Sequence, residues 1–92
     1  MKTINATFFI KEDNRQDFLQ AIQPLIESSR QEKGNRSYQL YQAVDKPNQF
    51  IMIEQWENQE AIDSHNQTPV FTQFFDQLSD WSAAEPIVTV FD

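Results

Sequence analysis

The run Phe50-Ile51-Met52-Ile53 is apolar at every position, between Gln49 and Glu54. A strand that is apolar on both alternating faces must be covered on both. In a chain of 92 residues that demand is severe, because only ~60–65% of the unfolded surface can be buried at this size. Helices can cover one face of such a sheet, so the other face calls for a further partner. A second copy of the chain is the economical one.

The rest of the chain supplies one domain, residues 1–92, around that strand. Ile4, Ala6, Phe8 and Ile10 alternate with Asn5, Thr7 and Phe9, which predicts a first strand over 3–10. Asp13 and Asn14 are expected caps of a helix carrying Phe18, Ile22, Leu25, Ile26 and Ser29 on one face and ending near Lys33. Pro24 falls inside it and should kink or loosen it, and Gly34, the only glycine, stands where a left-handed stop is needed. Residues 35–44 alternate again, the turn Asp45-Lys46-Pro47-Asn48 closes a hairpin, and the apolar strand follows from Gln49 to Glu57. Asn58 and Thr68-Pro69 mark two helix starts within 58–80, a broken helix. Residues 79–82 read as a loop and Glu85–Phe91 as a last strand. The order β-α-β-β-α-β predicts an α+β, ferredoxin-like sandwich: a four-stranded antiparallel sheet with two helices on one face.

Composition removes several functions. A net charge of −7 with seven scattered basic residues argues against nucleic acid and anionic membrane surfaces. RNA-binding sheets of this strand order carry aromatic and basic residues on the open face, and here the central hairpin offers only Arg36 and Lys46. With no cysteine there is no disulfide framework and no thiolate, and a metal site would have to recruit carboxylates to the single histidine, so no bound metal is expected. One glycine cannot build a phosphate-cradling loop. The first residues are too polar for a leader or a membrane span, and the chain is expected in the cytoplasm.

Several of these residues together resemble the antibiotic biosynthesis monooxygenase family and its quinol monooxygenase relatives. They are the helix end Ser29-Arg30-Gln31-Glu32-Lys33-Gly34-Asn35, Tyr38, Phe50, the Glu54-x-Trp56 pair, the helical Ala61-x-x-x-His65, and the aromatics Phe71 and Phe74. The resemblance implies a homodimeric α+β barrel in which two sheets pack face to face, with a pocket in each subunit between the sheet and its own helices. It also implies oxygenation of small electron-rich aromatics such as quinols or anthrones by dioxygen, without metal, flavin or haem. Haem-degrading relatives place an Asn on the first strand, where Asn5 fits, but their Trp and His positions hold His65 and Phe75. Haem degradation is therefore not expected.

His65 is the expected general base, holding or removing a phenolic proton, although a lone histidine on an apolar stripe also reads as a satisfied core residue. Asn5 is the expected second catalytic group, its amide directed at the helices to orient a substrate oxygen. Trp56, Phe71, Phe75 and Phe9 are the expected substrate-binding walls, and Glu54 is expected to pair with Arg30 or Arg36. The function expected is a cofactor-independent monooxygenase acting on a small aromatic or quinol-like compound. The alternatives are a non-oxygenase that binds or isomerises a small molecule on the same dimeric fold, and a purely structural dimer module.

Overall fold

The computed structural model describes residues 1–92. Its elements are β1 (Lys2–Ile10), α1 (Arg15–Arg30), β2 (Asn35–Ala43), β3 (Lys46–Trp56), α2 (Gln59–Asn66), α3 (Pro69–Trp81) and β4 (Ser82–Phe91), with a 3₁₀ turn over Glu12–Asn14. The strands form one antiparallel sheet in the order β2-β3-β1-β4, the ferredoxin-like arrangement.

Period-two alternation decides what each face of the sheet presents. On β1, Ile4, Ala6, Phe8 and Ile10 are buried under the helices, and on β3 so are Phe50, Met52, Glu54 and Trp56. Register places Phe8 opposite Phe50, Ala6 opposite Met52 and Ile4 opposite Glu54. The intervening residues Asn5, Thr7, Phe9, Ile51 and Ile53 face away from the helices, and no element of the chain covers them.

The helical layer is solid at one end and open at the other. Phe18 of α1 meets Phe50 and Phe8 at centroid distances of 4.9 and 5.4 Å, and Phe74 of α3 joins them at 6.0 Å from Phe18. Rings at these tilts and spacings add to what burial alone contributes. Beyond that cluster β4 extends past the helices, and Val88 and Val90, which share the helix-side face with Ala6 and Ile4, stay about half exposed.

Local chemistry accounts for the departures from expectation. The first helix stops at Arg30 because the next turn tightens, with the Gln31 and Glu32 amides donating to the Ser28 and Ser29 carbonyls. It runs through Pro24 as one element. Asn14 precedes it without a side-chain capping bond, its amide donating instead to Asp17. The hairpin turn shrinks to Val44-Asp45, so β3 begins at Lys46. Residues 79–81 are helical rather than loop, Ser82 Oγ closes α3 by donating to the Leu78 carbonyl at 2.7 Å, and β4 starts at once. Pro86 lies in that edge strand at a register shift between Thr7 and Phe9, where its missing N–H is least costly.

Candidate functional site

Between β1, β3 and β4 on one side and α2 and α3 on the other lies a cleft of about 250 Å³. Ile4, Ile62, Phe71, Phe75, Val88 and Val90 give it apolar walls, and Glu54, Gln59 and Asn66 are its polar groups. Two caps set the helices that bound it. The Asn58 side chain accepts from the Ala61 amide at 2.9 Å, and Thr68 Oγ1 accepts from the Phe71 amide at 3.4 Å, with Pro69 following at the first helical position. Phe71 and Phe75 lie one turn apart on α3, so their rings stack at 4.5 Å and 33° along one wall.

Glu54 is the unusual group here. The β pleat turns it to the helix side, where it is 6% exposed. Trp56, two residues on and fully buried, shares that face and donates its indole N–H to Glu54 Oε1 at 3.0 Å. The expected pairing of Glu54 with arginine does not occur. Arg30 Nε donates to the Tyr38 carbonyl at 3.0 Å, and Arg36 pairs with Glu57 at 3.3 Å. Burial raises the Glu54 carboxyl to about 7, the Trp56 hydrogen bond opposing this and the Glu32 carboxylate adding to it.

His65 is 1% exposed and does not line the cleft. Its Nδ1 lies 3.0 Å from Glu32 Oε1 and its Nε2 3.3 Å from the Tyr38 hydroxyl. The carboxylate accepts from Nδ1–H, so Nε2 accepts from the tyrosine. Burial pushes the imidazole down to about 4, which keeps it neutral at physiological pH, and burial also raises Glu32. The ring sits among Trp56 at 4.6 Å, Phe71 at 5.0 Å and Tyr38 at 5.3 Å. Phe71, which touches both, stands between His65 and the cleft. Gly34 makes this network possible: its φ is +89°, and a Cβ there would lie 2.7 Å from the Ala61 Cβ. The bare backbone lets the turn after α1 close onto α2, and that approach brings Glu32 to His65.

Of the other expected site residues, Phe71 and Phe75 line the cleft, and Trp56 lies beneath it as the donor to Glu54. Asn5 does not point at the helices, because strand alternation puts it beside Ile53 and Thr89 on the uncovered face. Phe9 faces the same way, by Lys46, Pro47 and Gln49. Sequence reasoning passed over Glu54 as an acid–base group. The available signal was the alternation itself, which places an acidic residue between Met52 and Trp56 on the buried face. No three His, Cys, Asp or Glu side chains converge closely enough to hold a metal ion.

Residues 1–77 match the family model described as antibiotic biosynthesis monooxygenase. The chain belongs to that family. Among its relatives, YcnE of Bacillus subtilis, a candidate monooxygenase by name, is 36% identical over 74 residues, spanning 80% of this chain and 78% of its own. An uncharacterised Synechocystis protein, sll1783, is 34% identical across 89% of this chain and 56% of its own. Among solved structures, an antibiotic biosynthesis monooxygenase superposes with a TM-score of 0.95 at 28% identity, covering 100% of this chain and 97% of the other. Rv0793 of Mycobacterium tuberculosis superposes at 0.94 with 25% identity, over 99% and 92% of the two chains. In so versatile a fold, membership sets the architecture and the site sets the reaction.

Proposed function

We propose that this protein is a monooxygenase of small aromatic, quinol-like compounds that works as a homodimer and without a cofactor. The observation that carries the reading is the cleft: flat apolar walls, few polar groups, and one unpaired carboxylate. Its volume lies just under the usual ~300 Å³ lower bound of ligand pockets, which favours compact ring systems. In the reaction a hydroquinone and O₂ give a hydroxyquinone and water. The substrate supplies all the electrons: its anion passes one to O₂, the pair collapses with formation of a C–O bond, and the hydroperoxide loses water. A low-dielectric cavity and a base near the hydroxyl serve that chemistry.

The test is oxygen uptake with a panel of hydroquinones and anthrones, corrected for autoxidation, with products analysed by mass spectrometry. Incorporation of one ¹⁸O atom from labelled dioxygen is expected. Saturable binding of the same compounds, measured anaerobically, with no protein-dependent uptake in air would move the assignment to the non-oxygenase alternative.

A further inference from the structure

Glu54 combines four properties that the core alone does not require. It lies on the helix-side face of the sheet beside apolar residues, it lines a cavity, no cation faces it, and one of its oxygens is uncommitted. Oε1 accepts from Trp56, whereas Oε2 has no partner in the protein and is not sealed off. A carboxylate kept only for structure is normally matched by an arginine or several N–H donors, because burying an unpaired charge is costly. From every packed element the titratable neighbours are few. β2 contributes Tyr38, whose hydroxyl is committed to His65; α2 contributes His65, held neutral; and the turn after α1 contributes the Glu32 carboxylate. β1, α3 and β4 offer only apolar residues to it, among them Ile4, Phe71 and Val90.

We propose that Glu54 is the proton acceptor of this cleft and that it selects small flat aromatics bearing an acidic hydroxyl. The proposal rests on the oxygenase reading for its turnover arm only; the binding arm stands without it. The hydroxyl donates to Oε2, the ring lies along Phe71 and Phe75, and a second oxygen across the ring meets the amide of Asn66 and that of Gln59, whose Nε2 also donates to Asp63 at 2.9 Å. On proton transfer the substrate O–H bond breaks, a new O–H bond forms on Oε2, and an aryloxide faces a neutral carboxylic acid. No electrons move in this step. The high proton affinity that burial gives Glu54 brings it closer to a phenol, at ~10, than an ordinary carboxylate at ~4.3 would be.

The experiment compares 1-naphthol with its methyl ether, and 1,4-naphthohydroquinone as the oxidisable counterpart, on the parent protein, Glu54→Gln and Glu54→Asp. Gln keeps an acceptor for Trp56 but cannot take a proton; Asp keeps the acid and draws it back from the cleft. At about pH 8 the parent should bind 1-naphthol roughly tenfold or more tighter than the ether, as befits a hydrogen bond to a charged acceptor. That advantage should fade on acidification as Glu54 protonates. Glu54→Gln should lose the pH dependence, keep naphthol affinity to within about tenfold, and lose roughly 10²–10⁴ in turnover. Glu54→Asp should keep the pH dependence with reduced turnover. Equal affinity for naphthol and ether, pH dependence that survives in Glu54→Gln, parental turnover by that variant, or no binding of either naphthalene at millimolar concentration would each overturn the proposal. A naphthol preference governed by Glu54 in a parent that consumes no oxygen would sink the oxygenase reading and leave the proton-acceptor site standing.

Discussion

Two buried residues titrate in opposite senses, and that fixes how stability responds to pH. Burial raises Glu54 from 4.5 to about 7, so the folded protein holds this proton more tightly than the unfolded chain does. Its contribution to stability is complete below about pH 4.5 and is lost as pH rises through 7. His65 is depressed from 6.5 to about 4, so its contribution is complete above about pH 6.5 and lost as pH falls through 4. Between those values the two changes oppose one another, and the parent protein should melt at nearly constant temperature. Glu54→Gln removes the larger part of one side of the balance, while Glu32, which burial also raises, keeps the rest. The variant should be more stable than the parent by about 3 kcal/mol at pH 8 and lose stability steadily below pH 6.5. A variant no more stable than the parent at pH 8 would show that Glu54 carries no desolvation cost. For His65 the expected pattern is reversed. His65→Ala opens a cavity and orphans Glu32 and the Tyr38 hydroxyl, which should cost roughly 2–4 kcal/mol in thermal or denaturant unfolding. Activity per folded molecule should stay within several-fold. A loss of 10²-fold or more at full folding would restore His65 to the role of base.

The decisive contact between elements is that of the turn after α1, residues 31–34, with the start of α2. Gly34→Ala imposes a Cβ on a positive φ and drives it into Ala61, two separate penalties that together should cost about 2–3 kcal/mol. Gly34→Ala combined with Ala61→Gly should recover the steric part and leave the backbone part, a coupling that a double-mutant cycle of melts measures. Additive costs would mean that the turn and α2 part without strain. This contact also marks what the sequence could and could not disclose. Gly34 was legible as a left-handed position but not in its place, since α1 already ends at Arg30 with a right-handed Gln31 as its C-cap and Gly34 closes the turn beyond. Asn58 and Thr68, by contrast, were legible as caps because their chemistry is local. The succession of strands and helices along the chain followed from the alternating and helical spacing of apolar residues. The close approach to Ala61 was not legible, since it depends on where α2 lies in space. Nor was the isolation of Glu54, since nothing in the chain says that Arg30 turns to the Tyr38 carbonyl and Arg36 to Glu57. Asn5 lies away from the helices for a simpler reason: pleat parity puts it on the face opposite to Ile4 and Ala6.

The whole molecule leaves one side of its sheet without cover. Phe9, Tyr41, Ile51, Ile53 and Ile87 lie on that face, with Tyr41 and Ile87 half or more exposed. Among them Asn5 Oδ1 is out of contact with solvent and has no hydrogen-bond partner, a state that normally demands one. Four strands at ~4.8 Å spacing and some nine residues at ~3.4 Å make a flat area of about 600 Å², which side-chain relief brings near the ~800 Å² per partner of a standard interface. A second copy packing sheet to sheet would bury the apolar residues and offer Asn5 a donor, so a dimer is the expected state at micromolar concentration in analytical ultracentrifugation. Two subunits of −7 repel at long range, so added salt should tighten the association. Ile53→Lys, at the centre of the face and opposite Asn5, would bury a like charge from each subunit and should yield folded monomer with an intact cleft. Monomer alone in the parent at tens of micromolar, at both low and high salt, would exclude the sheet-to-sheet dimer, and a dimer unaffected by Ile53→Lys would place the interface on another surface.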